Sequence, residues 1–196
     1  FISAALAFGL AAPLSKRMGK KGAAQLAKIA AFFIGAAPIT LRLLGVFPDN
    51  GEPIVVPLLF LQTTLSTGLS ITAAILIASM IADVVEDSEL KTGRRSEGLF
   101  FAAASFVNKA VSGIGIFASS MILLAIAFPQ NAQPGQVPDE VIFDLGLFYV
   151  PLLGLLYAAA VAFVAFYAIT RDKHEASVRQ LAAAAGADGI ETPGPQ

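Results

Sequence analysis

Long apolar stretches are the feature that most limits how this chain can fold. The hydrocarbon core of a bilayer is about 30 Å thick, so a helix needs roughly 20 residues to cross it. Four stretches meet that requirement: 23–47, 54–82, 99–128 and 145–169. A fifth, residues 1–14, would rise only about 21 Å as a helix, so we expect it to be the end of a helix that begins earlier.

The composition supports a membrane protein. The chain is 56% hydrophobic and only 14% charged, and its mean hydropathy is +0.74. A soluble domain of this length would need more charged residues to cover its surface. Backbone groups inside lipid must be hydrogen-bonded within their own segment, so all five stretches are predicted to be helical. The predicted fold class is therefore all-α, a polytopic membrane helix bundle.

Several classes of function are excluded by what the sequence lacks. The net charge is −1 and no Lys/Arg-rich tract is interleaved with aromatic residues, so nucleic acid is not an expected partner. The absence of cysteine rules out disulfides, thiol catalysis and thiolate metal sites. The single histidine, His174, stands in a charged tail and is expected to be a solvated surface residue. We predict no metal site and no cofactor, beyond coupling to Na⁺ or H⁺.

Basic residues alternate between the connections. Lys and Arg cluster at 15–22, at 83–98 and after the last apolar stretch, whereas 48–53 and 129–144 contain none. The positive-inside rule then places the two basic loops and the C-terminal tail in the cytoplasm. The tail, residues 171–196, ends in small residues, Pro and Gly, and is predicted to be disordered at its end.

The stretch 54–82 carries more hydroxyl side chains than an anchor in lipid would need. Thr63, Thr67 and Ser70 lie at i, i+4 and i+7 and so share one helix face. Small hydroxyl residues serve helix packing, but the same face could line a water-filled pathway. On the second interpretation, Gln62, Thr63 and Thr67 are candidate pathway residues.

Lys109 is a charge at membrane depth. It lies ten residues beyond Leu99, which is about 15 Å of helix rise. A lysine there costs roughly 2.5–3.5 kcal/mol and usually faces the protein interior or water. A snorkelling lysine is the alternative. The polar residues Ser105, Asn108 and Ser112 recur beside it at helical spacing and favour a cavity, whereas Arg42, near the end of its stretch, is predicted to be an interfacial anchor.

The segment from Asp83 to Glu97 mixes acidic and basic residues. Exposed ion pairs of this kind stabilise little, and a solvated loop is the simplest interpretation. Charge pairs between moving bundles can also close one face of a protein in one state and separate in another. We therefore consider the segment a candidate gate.

Two sequences resemble a known family. Asp83 followed by "ELKTGRRSEG" (Glu89–Gly98), and then by Lys109, resembles the loop between helices ten and eleven of the glycoside-pentoside-hexuronide:cation symporters, the melibiose-permease branch of the major facilitator superfamily. "APLSKRMGKKGA" (Ala12–Ala23) is similar to the superfamily's basic loop between helices eight and nine. The resemblance implies that residues 1–170 form a C-terminal transmembrane bundle, from the end of helix eight to helix twelve. Its partner would be an N-terminal six-helix half.

The resemblance also implies roles for individual residues. Lys109 would face the central cavity and support sugar and cation coupling, and Asp83, Glu86 and Arg95 would help to form a cytoplasmic gate, to which we add Glu97. The stretch "DVVEDSE" departs from the common family form D-x-V-D-Y-G-E, so the subfamily is left open.

The predicted function is cation-coupled symport of a sugar, glycoside or hexuronide, as part of a secondary transporter in the bacterial inner membrane. The lipid bilayer and a small-molecule substrate are the expected partners. A lysolipid transporter of the same superfamily branch is an alternative, because Phe100, Phe101 and Phe106 would suit an acyl chain. A non-transporting scaffold is another. An enzyme is not predicted, because the acidic residues lie in loops or at helix ends and not at membrane depth, where an intramembrane enzyme would need its catalytic groups.

Overall fold

The computed structural model describes residues 1–94, 96–133 and 136–167. That part of the chain forms four α-helices and no strand: α1 (Ile2–Leu43), α2 (Val55–Thr92), α3 (Glu97–Ala125) and α4 (Asp139–Ala165). Each helix contains a stretch that is long and apolar enough to cross a membrane. The prediction of an all-α membrane bundle is confirmed. The predicted tail, 171–196 with His174, lies outside the described residues.

The first helix, α1, consists of two arms that meet at Gly19. The backbone of Gly19 has φ 74° and ψ 162°, a conformation that is open to glycine because it has no Cβ. Leu6 of the first arm lies against Gly68, and Gly35 of the second arm lies beside Ser66. The two arms therefore double back on one another. The prediction of a loop over 15–22 is wrong. These residues are helical on both sides of Gly19, and the direction of the helix changes at that glycine.

The second helix is longer than predicted at its charged end. It continues to Thr92, so Asp83, Glu86 and the acidic residues near them lie on a helix and not in a loop. Leu, Glu and Lys favour helix outside lipid as well as inside it, and Lys91 pairs with Asp87 one turn away at 2.6 Å. Gly93, at φ 66°, ends the helix, and its N–H donates to the Glu89 carbonyl.

The fourth helix begins six residues before the predicted start at 145, at Asp139. Asp139 and Glu140 occupy its first turn, where negative charge complements the partial positive charge of a helix N-terminus. Hydropathy alone places the start of the helix after the last charged residue. Here the charged residues belong to the helix, because they stabilise its N-terminus.

Small residues form the interface between α1 and α2. Its buried side chains are mostly alanines from both arms of α1 and a short run of α2: Ala7, Ala11, Ala23, Ala24, Ala27, Ala31, Ala36, Thr72, Ala73, Leu76 and Met80. Such residues let helix backbones approach closely. Thr72 is fully buried and donates to the Gly68 carbonyl at 2.8 Å, so packing is the right interpretation for this hydroxyl.

The third helix is peripheral. None of its residues is buried, although Phe106, Ile116 and other large apolar side chains lie on it. The fourth helix, by contrast, packs on the second arm of α1, where the ring of Phe32 lies against Gly154 and Leu43 lies against Gly146. Two adjoining cavities lie along α2 and the second arm, one beside α3 and one beside α4, and together we name them the cleft.

Candidate functional site

One side of the cleft is a cavity lined by two lysines, which we name the lysine cavity. It has a volume of about 850 Å³, within the range of small-molecule sites. Lys28 lies on the second arm of α1, Ala74 and Ala78 come from α2, and Lys109 comes from α3. Ser105, Asn108 and Ser112 also line it. The structure thus brings together the polar residues of α3 that the sequence singled out, since i, i+3, i+4 and i+7 share one helix face.

The second cavity, the hydroxyl cavity, lies between α2, α4 and the second arm. Its volume is about 490 Å³, and its polar lining comprises Gln62, Thr63, Ser66, Thr67, Ser70, Tyr149 and Tyr157. The Gln62 side-chain amide donates to the Gly35 carbonyl at 3.2 Å, and Thr63 donates to the Gln62 side-chain oxygen at 3.1 Å. The three predicted pathway residues Gln62, Thr63 and Thr67 therefore line one cavity.

The two cavities adjoin. Ala74 of α2 lines both of them. The Lys28 amine, in the lysine cavity, lies 5.6 Å from the centroid of the Tyr157 ring, in the hydroxyl cavity. This is within the range of a cation–π interaction. The Tyr157 ring also packs against Phe32, with centroids 5.5 Å apart. The Lys28–Tyr157 contact therefore joins the lysine and hydroxyl cavities into one polar cleft.

Sequence reasoning missed Lys28 as a site residue. Lys28 lies five residues inside the predicted span 23–47, and a charge at membrane depth is the same signal that singled out Lys109. Its closeness to the basic residues 16–21 hid that signal. Tyr157 carried no sequence signal of its own, since a tyrosine is common in membrane helices.

The predicted gate residue Asp83 is buried at the basic end of the bundle, the end at which Lys20, Lys21 and Lys91 lie. Its side chain is only 4% exposed. The Lys20 amine donates to its two oxygens at 2.6 and 2.8 Å, and the Tyr167 hydroxyl donates to it at 2.7 Å. Asp83 thus joins the second arm of α1, α2 and the residues that follow α4. We name this group the Asp83 cluster.

The other predicted gate residues lie further along the chain. Glu86 lies half-buried one turn further along α2, and Glu97 is exposed in the first turn of α3. Arg95 lies outside the described residues. Lys20, which pairs with Asp83, comes from the second arm of α1, and the local charge pattern did not indicate this pairing.

Burial and the neighbouring carboxylate keep the Tyr167 hydroxyl of the Asp83 cluster protonated. Burial raises the pKa of the Tyr167 hydroxyl well above its usual range, and the hydrogen bond to Asp83 raises that pKa further. Tyr167 therefore keeps its proton at neutral pH and remains a donor. Beside it, the Lys21 amine donates to the carbonyls of Ala165 and Tyr167 at 2.6 and 3.0 Å, which satisfies the free carbonyls at the end of α4.

The cleft is lined by groups that can bind a polar solute. It offers amines, amides, hydroxyls and aromatic rings, and no acidic side chain lines either cavity among the described residues. The chemistry that these groups support is reversible recognition of a polar solute.

Comparison with known proteins agrees with this chemistry. Residues 1–171 match a family described as MFS/sugar transport protein. An uncharacterised symporter of Synechocystis is 34% identical over 121 residues, which are 59% of this chain and 22% of that protein. A lactose permease of Lactobacillus delbrueckii is 28% identical over 123 residues, which are 62% of this chain and 20% of that protein.

The match has two consequences. It confirms the resemblance drawn from the Ala12–Ala23 and Glu89–Gly98 sequences. The family is one of transport proteins, so the preference for a transporter over an enzyme is also confirmed. The aligned part of the chain spans only about a fifth of the length of these two relatives. No solved structure matches the chain.

Proposed function

This chain belongs to the MFS/sugar transport protein family, and we propose that it forms the C-terminal part of a secondary transporter. The transporter would move a sugar, glycoside or hexuronide together with Na⁺ or H⁺ by alternating access. One observation carries the proposal: two polar clusters from different helices, around Lys109 and around Gln62, line adjoining cavities in an otherwise apolar bundle. The lactose permease among the relatives supports a sugar as cargo.

The cleft would bind the cargo on two sides. Ser105, Asn108, Lys109 and Ser112 would contact it from α3, and Gln62, Thr63 and Thr67 from α2. Hydroxyl and amide groups can both donate and accept hydrogen bonds, as the hydroxyls of a sugar require. Tyr149 and Tyr157 would supply the aromatic walls that are common in small-molecule sites.

The Asp83 cluster would close the basic end of the cleft. We assign Asp83, Glu86, Arg95 and Glu97 to this gate and add Lys20 and Tyr167, because both donate to Asp83. Ion pairs between moving elements can form in one state and break in the other. Opening towards the basic end would require groups of this cluster to exchange partners.

The basic end would face the cytoplasm of a bacterium, with the chain in the inner membrane. The cluster of lysines and arginines at that end supports this orientation. The segments 15–22 and 83–98, which the sequence predicted to be loops, and the tail would then be cytoplasmic. A six-helix N-terminal half, in the bilayer beside these helices, would provide the second bundle that alternating access needs.

A lysolipid is the alternative cargo. Phe101 lines the same cavity as Lys109, so an acyl chain and a charged headgroup could be accommodated together. A non-transporting scaffold is a further alternative, which would leave Lys109 without a role.

Uptake by the complete protein tests the proposal. The protein that contains this chain is reconstituted in proteoliposomes, and labelled glycosides, uronides and lysophospholipids are offered with an imposed Na⁺ or H⁺ gradient. We expect accumulation of a sugar or uronide that collapses when an ionophore dissipates the gradient. Accumulation of lysophospholipid alone would select the alternative cargo, and no gradient-driven accumulation of any solute would contradict transport.

A further inference from the structure

We infer that Lys28 is a positioning residue for the cargo site: its amine fixes the ring of Tyr157, and this ring forms one wall of the hydroxyl cavity. This role rests on the proposed function, in which Tyr157 lines the cargo site. Neither the family match nor the names of the relatives assign a role to Lys28. The placement of its amine over the Tyr157 ring, 5.6 Å from the centroid, is the observation from which the role follows.

One face of the second arm of α1 is directed at α4. Four of its side chains lie at i, i+4, i+7 and i+11 and so share that face: Lys21, Gln25, Lys28 and Phe32. The Lys21 amine donates to the carbonyls of Ala165 and Tyr167. One turn further along the arm, the Gln25 amide donates to the Val161 carbonyl at 3.1 Å. These bonds to the backbone hold the two helices together, and they direct Lys28, the next residue of the face, towards α4.

The Tyr157 ring is restrained by two residues of this face. The Lys28 amine lies over the ring, where the negative face of the π-system attracts a cation. The Phe32 ring packs against it with centroids 5.5 Å apart and planes inclined by 42°. Phe32 is itself confined, since a Cβ built on Gly154 would lie 3.2 Å from its Cζ. The position of the Tyr157 ring is therefore set from the second arm.

The Tyr157 ring in turn shapes the hydroxyl cavity. It lines this cavity together with the polar side chains of Gln62, Thr67 and Ser70. A change of rotamer would move the ring away from these groups, and a solute would then have to order the ring as it binds. Restraining a contacting group in advance lowers that cost and raises affinity. Lys28 therefore contributes to cargo affinity through Tyr157.

Partial burial increases the strength of the Lys28–Tyr157 contact. Both residues are half-buried, and Lys28 lies in a helix that is apolar enough to span a membrane. A cation–π contact is stronger where water is partly excluded than at an exposed surface. The charge of Lys28 is thus used at a depth where a charge is costly, and its removal should release the ring.

Uptake kinetics of the complete protein in proteoliposomes test this role, with the solute that the parent protein accumulates. Lys28→Met removes the charge and keeps the apolar stem. We expect it to raise KM about fivefold, the effect of losing a partly buried cation–π contact, and to leave the maximal rate close to that of the parent. Lys28→Arg keeps a cation over the ring and should restore the parent KM.

A double-mutant cycle distinguishes action through the ring from direct contact with the cargo. In a Tyr157→Leu protein the contact is already absent, so adding Lys28→Met should change KM little. An amine that binds the cargo itself would give the same change in both backgrounds. Affinities obtained from the dependence of the melting temperature on solute concentration provide the same comparison without transport.

Lys16→Met is the matched control, because it removes a charge at an exposed position outside both cavities, and it should leave KM unchanged. Three results would overturn the role of Lys28: an unchanged KM in Lys28→Met, an equal effect of this change with and without the Tyr157 ring, or no recovery in Lys28→Arg. Each of them would leave transport by the parent intact. A parent that accumulates no solute would instead refute the proposed function, and the role of Lys28 with it.

Discussion

The negative charge of a buried carboxylate has to be balanced by an opposite charge or by hydrogen bonds. At the basic end, Lys20 and Tyr167 provide these for Asp83. Asp83 is 4% exposed, whereas the Lys20 side chain is 28% exposed. Removing one partner of such a pair costs much more than forming the pair gains, because the other charge stays buried without compensation. Asp83 therefore matters for stability as well as for the proposed gate.

Replacing Lys20 should destabilise the protein. We expect Lys20→Gln to lower the free energy of unfolding by about 3 kcal/mol, because the buried Asp83 carboxylate would lose its ion pair with Lys20 in a site with little water. Thermal unfolding of the purified protein in detergent measures the effect. Lys16→Gln, the same change at an exposed lysine, is the control and should shift the transition little. Equal shifts in the two variants would contradict a stabilising role for the pair.

Individual residues were predictable where the signal was local. Lys109 stands alone in a long apolar stretch, and its helical neighbours at 105, 108 and 112 could be placed on its face from spacing alone. The Lys20–Asp83 pair could not be found in this way, because 63 residues separate its members. Lys28 carried the right signal but lay next to a basic run, so its depth was not recognised.

At the scale of the helices, close approach between α1 and α2 depends on small residues. A Cβ built on Gly68 would lie 2.7 Å from Leu6 Cδ2 and 3.2 Å from the Ser3 carbonyl oxygen. The second contact is to backbone, which cannot move without shifting the first arm. Glycine at position 68 thus sets the distance between these helices.

A methyl group at that position should separate the two helices. We expect Gly68→Ala to lower the free energy of unfolding by about 1–3 kcal/mol, as overpacking does, despite the better helix propensity of alanine. Gly115→Ala is the matched control, since a Cβ there meets nothing within 4 Å among the described residues. Thermal unfolding of both variants decides the matter, and a stabilised Gly68→Ala protein would argue against the packing.

Helix existence was predictable and helix ends were not. Hydropathy located every span, because a stretch that crosses lipid must be long and apolar. It placed ends where charges begin, yet α2 extends through its charged residues to Thr92 and α4 begins at Asp139. The turn within α1 was expected to be a loop of eight residues, since no local pattern indicated that Gly19 alone could break the helix.

At the scale of the whole molecule, the described part of the bundle contains the polar cleft, and its two ends differ in charge. The cleft lies along α2 and the second arm of α1, with one cavity beside α3 and one beside α4, and α3 contributes its polar face without burying any residue. The proposed N-terminal bundle would cover this face. That arrangement would place Lys28 and Lys109 between the two halves, where a cargo passes in alternating access.

The proposed orientation can be tested with single cysteines in the complete protein, once any cysteine outside the given sequence has been replaced; the given sequence contains none. We expect a thiol introduced by Lys16→Cys to react with a membrane-impermeant maleimide only when the reagent reaches the cytoplasmic side, and one introduced by Asn50→Cys to react from outside intact cells. Both positions are exposed. The reverse pattern would invert the proposed topology while leaving the fold unaffected.

Solvent access at Lys109 tests the central claim most directly. In the complete protein, Lys109→Cys is labelled with a water-soluble thiol reagent in the presence and absence of a saturating sugar or uronide, beside Val107→Cys on the opposite side of α3. The account predicts labelling at position 109 that the solute blocks, and none at position 107. Reaction at position 109 only with a lipid-soluble reagent, with no protection by any solute, would contradict the claim that this amine faces a solute pathway.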